Sequence, residues 1–222
     1  MLKAENVSRK YFRNRKGANC FEAVHPASLE LESGTLTLLQ GRSGSGKTTL
    51  LHMLAGLLNP TDGKVLLEQQ DLYSLPDPEL SRLRNEKISV IPQGRSAVDT
   101  LTVMENILLP ARLYGKKQDG EAAEQWLDIL GIADLRDVMP SELSGGELRR
   151  MAIVRSLHQN AEVILADEPT GDLDNENTEK VLELLRQAAG RGCAVLVVSH
   201  EECAAEYADR ILRMDAGTLL SP

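Results

Sequence analysis

Three things are scarce in this sequence of 222 residues: cysteine, unbroken apolar runs and surplus positive charge. The three cysteines, Cys20, Cys193 and Cys203, are odd in number and scattered, with no C-x-x-C pair and no histidine cluster beside them. That sets aside a disulfide framework and a zinc site, and fits reduced thiols in a cytosolic protein. No apolar run approaches the roughly 18 residues that a membrane helix needs, so the chain is not expected to span a bilayer by itself. The opening MLKAENVSRK lacks the apolar core of a signal peptide, and none is expected. Lys and Arg total 25 against 33 Asp and Glu, a net charge of −8. This balance argues against a nucleic-acid partner, whose binding surface usually carries a basic footprint. The one basic run, Arg9 to Lys16, reads as a solvated loop, with contact to nucleotide or lipid phosphate as the alternative. Internal repeats, low-complexity tracts and Gly-, Ser- or Pro-rich linkers are absent too.

What remains is globular in composition and long enough for one large domain, or one domain with an inserted subdomain. Short apolar runs at 35–39, 88–91, 163–166, 194–198 and 210–214 read as strands. Several are apolar at every position, as expected of central strands covered on both faces. Residues 50–58, 120–130, 147–158 and 178–189 read as helices. The alternation predicts an α/β domain with a mainly parallel sheet. The strand rhythm stops at Ile91 and resumes at Val163. Residues 94–158 therefore read as a helical insertion into a core built from 1–93 and 159–222.

The stretch GRSGSGKT, residues 41–48, fits G-x-x-x-x-G-K-[ST] between a strand and a helix. Gly41, Gly44 and Gly46 let successive backbone N–H groups point inward, and the helix N-terminus adds positive potential for phosphate oxygens. Lys47 supplies a point charge near the β and γ phosphates, and the Thr48 hydroxyl is a hard ligand for Mg²⁺. In VILADEP, residues 163–169, a buried strand ends in two acids, which is costly unless they find a partner. Beside such a loop, Asp167 would hold the metal and Glu168 would accept a proton from an attacking water. His200 and Gln93 follow two other strands and reach the same C-terminal sheet edge, where α/β proteins bind ligands.

SELSGGELRR, residues 141–150, reads as a helix start. Ser144 and Glu147 form a capping box. Yet Gly145 and Gly146 fill the first helical positions, where glycine costs about 1 kcal/mol each against alanine. Either something must approach this helix end closely, or a tolerant first turn has kept the glycines.

In this order the pieces resemble the nucleotide-binding subunit of an ABC transporter over nearly the whole chain. GRSGSGKT resembles that family's Walker A, Gln93 its Q-loop, LSGGE at 143–147 its signature and ILADE at 164–168 its Walker B. GDLD at 171–174 resembles the D-loop, His200 the switch histidine, and Tyr11 the aromatic that stacks on adenine. ADEPTGDLD and LTVMENILLP most resemble the branch serving macrolide efflux, lipoprotein release and related export. The implied fold is a P-loop NTPase core with a mainly parallel central sheet, N-terminal antiparallel β strands and an inserted helical subdomain.

The implied cofactors are ATP and Mg²⁺. Gly41, Arg42, Ser43, Gly44, Ser45, Gly46, Lys47, Thr48 and Thr49 would surround the phosphates. Thr48, Gln93 and Asp167 would hold the metal, while Lys47, Gln93, Glu168 and His200 would serve catalysis. The resemblance also implies that two copies pack head to tail. Ser144, Gly145, Gly146 and Glu147 of one copy, with Asp174, would then close over ATP held by the other. A membrane permease would be the second partner, holding the chain on the inner face of the cell membrane. The apolar set Leu101, Val103, Leu108, Leu109 and Leu113 is either subdomain core or the groove for that permease.

The function expected is ATP-driven export of a peptide, lipoprotein, drug or similar amphipathic compound. The alternative is ATP-driven signalling through a membrane partner without transport. DNA-repair ATPases with the same signature are set aside for want of sustained heptads and paired cysteines. The tandem ribosome-associated type is set aside because only one P-loop is present. Departures from the resembled pattern lie beside the catalytic positions. Leu148 and Arg149 replace two glutamines common in this branch, and Pro92 and Gly94 flank Gln93.

Overall fold

The fold was examined in a computed structural model that describes residues 1–13, 19–116 and 119–220. The chain runs β1 (Leu2–Arg13), β2 (Asn19–Leu31), β3 (Leu36–Gln40), α1 (Lys47–Leu54), β4 (Asp62–Leu67), β5 (Gln70–Asp71), α2 (Asp77–Lys87) and β6 (Ile88–Ile91). It continues with α3 (Val103–Leu113), α4 (Gly120–Ile129), α5 (Gly145–Gln159), β7 (Val163–Asp167), α6 (Asn175–Gly190), β8 (Ala194–Val198), β9 (Arg210–Asp215) and β10 (Thr218–Leu220).

Two sheets form. The central one has the order β10-β9-β3-β8-β7-β6 and is parallel except for β10. The other, β2-β1-β4-β5, is antiparallel. The five expected central strands are all present. Their side chains divide by parity, because successive residues of a strand face opposite sides. Leu39, Leu165, Leu196 and Val198 join a core shared with α1 and the antiparallel sheet. Leu36, Leu38, Ile164, Ala166, Val195 and Val197 join a second core with α3 to α6. Both faces of β3, β6, β7 and β8 are covered, which is why these strands are mainly apolar, whereas β9 exposes alternate residues.

Register brings the ends together. Leu39 pairs with Val198, Asp167 with Val198, and Ala166 with Ile91. The loops after β3, β6, β7 and β8 therefore leave the same edge of the sheet. Residues 94–158 do contain α3, α4 and α5 and no strand among the described residues. Their apolar faces, through Ile107, Leu127 and Val154, share one continuous core with β6 to β8. Among the described residues no helix is long and apolar enough to cross a membrane.

Three expectations are corrected. The basic run begins as strand, not loop: Arg9 to Arg13 lie in β1, and residues 14–16 of the run fall outside the described residues. Lys10 lies 3.7 Å from Asp62 and Arg9 Nη1 donates to the Asn59 carbonyl at 2.7 Å, so this run is tied down along the sheet. The first helix starts at Lys47, not 50, because Gly46 (φ 101°) turns the chain straight into it. The helix expected over 178–189 begins earlier, at Asn175, where the Asp174 carboxylate accepts from the Asn177 N–H at 2.8 Å.

Candidate nucleotide site

The loop between β3 and α1 borders a cavity of about 1110 Å³ at the C-terminal edge of the central sheet. Gly46 is fixed by its surroundings as well as its φ, since a Cβ there would sit 2.4 Å from the Ala23 carbonyl oxygen. Lys47 is buried, and its Nζ donates to the Gly41 and Arg42 carbonyls at 2.7 and 3.0 Å, closing the loop into a ring. Gly41, Arg42, Ser43, Gly44, Gly46, Lys47, Thr48 and Thr49 all line the cavity. Ser45 does not; it is buried behind the loop, where its carbonyl accepts from the Gly217 N–H at 2.9 Å.

The opposite wall is acidic. Asp167 is 1% exposed and neither carboxylate oxygen has a hydrogen-bond partner. Burial pushes its pKa up, while the Thr48 hydroxyl beside it opposes that shift. An orphaned buried carboxylate next to a hydroxyl is a set of hard oxygen donors that suits a magnesium ion. Among the described residues no three His, Cys, Asp or Glu side chains cluster as a cage.

Glu168 sits at φ 49° just past β7, with its N–H donating to the Val198 carbonyl at 2.8 Å. That sparsely populated conformation turns its carboxylate toward the end of β8. Both carboxylate oxygens lie 3.0 Å from His200 Nδ1. The hydrogen bond to Glu168 and its charge raise the His200 pKa above the usual histidine value. Two expected site residues are thus in direct contact, a pairing that spacing alone does not reveal.

Gln93 lines the cavity from the loop after β6, and Tyr11 does so from β1. The Tyr11 ring stacks with Phe21 at 5.5 Å between centroids, and the Arg9 guanidinium lies 4.9 Å from its centre. Phe21, Arg149 and Asp172 line the cavity as well, and the sequence reading did not place them there. Phe21 offers no signal beyond its pairing opposite Tyr11 across β1 and β2. Within GDLD the expected site residue is Asp174, but its carboxylate caps α6 and lies outside the cavity lining, which Asp172 joins instead.

Ser144, Gly145, Gly146 and Glu147 are absent from the cavity lining of their own chain. The expected capping box is formed. The Glu147 N–H donates to Ser144 Oγ at 3.3 Å, and the Ser144 N–H donates to the Glu147 carboxylate at 2.7 Å. Gly146 has a reason inside the chain, because a Cβ there would meet the Asp172 carbonyl oxygen at 3.3 Å. Gly145 has none of that kind: its nearest neighbour would be the Asp172 side chain at 4.0 Å, an ordinary contact, and the residue is exposed. Leu148, which stands in place of one of the two glutamines, packs against the core shared with α3 and α6.

The chain matches the family model described as ABC transporter over residues 24–171. It is 37% identical over 222 residues to the lipoprotein-releasing system ATP-binding protein LolD of Aquifex aeolicus, covering 99% of this chain and 96% of that protein. It is 36% identical over 223 residues to the macrolide export ATP-binding/permease protein MacB of Brucella abortus. That match covers 100% of this chain but 34% of MacB, so the chain spans about a third of the length of that relative. Two dimeric structures of the ATP-binding cassette MJ0796 superpose with a TM-score of 0.92. One, at 31% identity over 100% of this chain and 97% of that one, is a post-hydrolysis state bound to ADP and Pi.

Proposed function

Because the chain belongs to the ABC transporter family, we propose that this ATP-binding, ATP-hydrolysing cassette works as a head-to-tail pair of copies that powers a separate membrane permease for export. The observation that carries the pairing is the position of the signature. Apart from Ser45, which is buried behind the loop, the cradle residues of 41–49 border one cavity together with Gln93, Asp167, Glu168 and His200, whereas Ser144 and Gly145 are exposed and outside it. A second copy can bring its own Gly145 to that cavity without any side chain intervening, and the α5 dipole then faces the terminal phosphate.

In this reading Lys47 and the loop N–H groups hold the phosphates, and Tyr11, backed by Phe21, offers a stacking face to adenine. Thr48, Asp167 and Gln93 would hold magnesium, which supplies charge neutralisation for the phosphates. Glu168 accepts the proton of the attacking water. His200, whose Nδ1 lies 3.0 Å from both carboxylate oxygens, keeps the Glu168 carboxylate aimed. The permease partner finds support in α3. Val103 and Leu108 are core, Leu101 and Leu109 are half-buried, and Leu113 stays 68% exposed. The set thus divides between subdomain core and an outward apolar patch. Export of an amphipathic compound is supported by relatives named for macrolide export and lipoprotein release, and the permease would hold the chain at the inner membrane face.

The test is Glu168→Gln, which keeps shape and removes the proton acceptor. Hydrolysis is expected to fall at least ~10²-fold, the scale of general-base loss. ATP-bound pairs should accumulate and be visible by light scattering. Near-normal turnover would remove Glu168 as the base and leave His200 as the next candidate.

A further inference from the structure

Arg149 stands where the resembled branch commonly carries glutamine, and its surroundings are unusual for a guanidinium. It is 8% exposed, and among the described residues it has no ion pair. Its one hydrogen bond runs from Nη1 to the Pro92 carbonyl at 2.7 Å. Its Nη2 lies beside Gly171, 3.8 Å from where a Cβ on that glycine would sit, an ordinary contact distance. A buried cation without a counter-ion is costly, and only its hydrogen bonds offset the desolvation. Six residues further along α5, Arg155 donates to the Ser96 carbonyl at 2.9 Å and to Ser96 Oγ at 2.7 Å. Two arginines of one helix therefore hold both ends of the segment 92–96, with Gln93 between them and Gly94 (φ 85°) as the pivot.

We propose that Arg149 is a positioning residue for ATP hydrolysis: it ties the Pro92 carbonyl to the signature helix and so sets where Gln93 stands in the nucleotide cavity. The proposal rests on Gln93 taking part in hydrolysis, as read above. Arg149 acts on the catalytic step through Gln93 and leaves the phosphate cradle of Lys47 untouched. Glutamine at this position retains an N–H donor for the same carbonyl. Methionine fills similar volume without one.

The experiment is a double-mutant cycle with Arg149→Met, Arg149→Gln and Gln93→Ala, read by steady-state hydrolysis and by equilibrium binding of a fluorescent ATP analogue in EDTA. Arg149→Met is expected to lower kcat between about 10- and 100-fold, the scale of a catalytic group misplaced by about an ångström. Affinity for the analogue in EDTA should stay within about twofold, since no cradle group is touched. Arg149→Gln should recover most of the rate. Gln93→Ala should lose a similar factor, and the double variant Arg149→Met with Gln93→Ala should be no worse than either single change, because both remove the same positioned group. Multiplying losses in the double variant would overturn the proposal while leaving Gln93 in the site. A normal rate for Gln93→Ala would overturn it by removing Gln93 from the site. A loss of nucleotide affinity as large as the loss of kcat would overturn it by showing a general structural role.

Discussion

Helices α1 and α5 both start at glycine, with Gly46 capping the first and Gly145 opening the second, and they start in opposite ways. At α1, Gly46 takes a left-handed conformation and no side chain caps the helix, so its first N–H groups are left for a ligand. At α5, Ser144 and Glu147 cap each other's backbone, and the Ser144 hydroxyl also donates to the Glu147 carboxylate at 2.7 Å. The first start borders the cavity of its own chain; the second is turned away from it. An uncapped helix end is an anion site ready for use. A capped one is stable alone and becomes a phosphate site only when another molecule presents the phosphate. Under the proposed function, the difference divides labour between binding, done within one chain, and closure, done between two.

The largest way to break that division is at the first start. Lys47→Ala removes the charged donor and the two bonds that close the loop. ATP affinity is expected to fall by about 10- to 100-fold or more, the worth of one or two charge-assisted hydrogen bonds. Titration with a fluorescent ATP analogue reads it, and unchanged affinity in a folded variant would sink the cradle. A smaller effect belongs to the second start. Ser144→Ala removes the cap and should cost about 1 kcal/mol of stability, measured by denaturant unfolding. Affinity of the isolated chain for ATP should not change, because Ser144 does not reach its own cavity.

The smallest effect is one of pH. Hydrogen bonds from the Ser144 side chain and backbone lower the Glu147 pKa below the usual 4.5. A depressed carboxylate contributes stability that is present above its unfolded pKa and is lost as pH falls through the folded one. The stability difference between wild type and Ser144→Ala should therefore shrink on acidification below about pH 4.5. A difference that holds constant down to pH 2 would mean that Glu147 takes no part in the cap. The α1 start, with no carboxylate in its first turn, has no counterpart to this titration.

Much of this was legible beforehand for a physical reason. Strands β6, β7 and β8 are covered on both faces, so their apolar runs stand out, and they lead to the chemically conspicuous residues Gln93, Asp167 and His200. The N-terminal sheet was harder to read. Register shifts in β1 between Ala4 and Val7, with Asn6 at φ 49°, reverse the alternation that marks a half-buried strand. Helix α2 buries only Leu80 fully, so its period was too weak to see. At the site, motif order located the loop, the two acids and the histidine. The Glu168–His200 contact, the Asp172 wall and the Arg149 tether depend on how loops from distant parts of the chain meet, which local pattern does not encode. The signature glycines were noticed as an oddity. Only the structure divides them, giving Gly146 an in-chain neighbour and leaving Gly145 free for another copy.

The central claim, that closure happens between chains, is tested most directly by mixing two inactive variants with different tags. Lys47→Ala has a broken cradle and an intact α5 start. Gly145→Asp keeps the cradle but places a carboxylate where phosphate would approach, at a position whose own chain has room for a Cβ. Neither variant alone contains a complete site, yet the mixed pair contains one. Capture of one tag at saturating Mg-ATP should bring down the other, while each variant alone fails to pair. Failure of the mixture to pair, under conditions where wild-type copies do, would contradict the account.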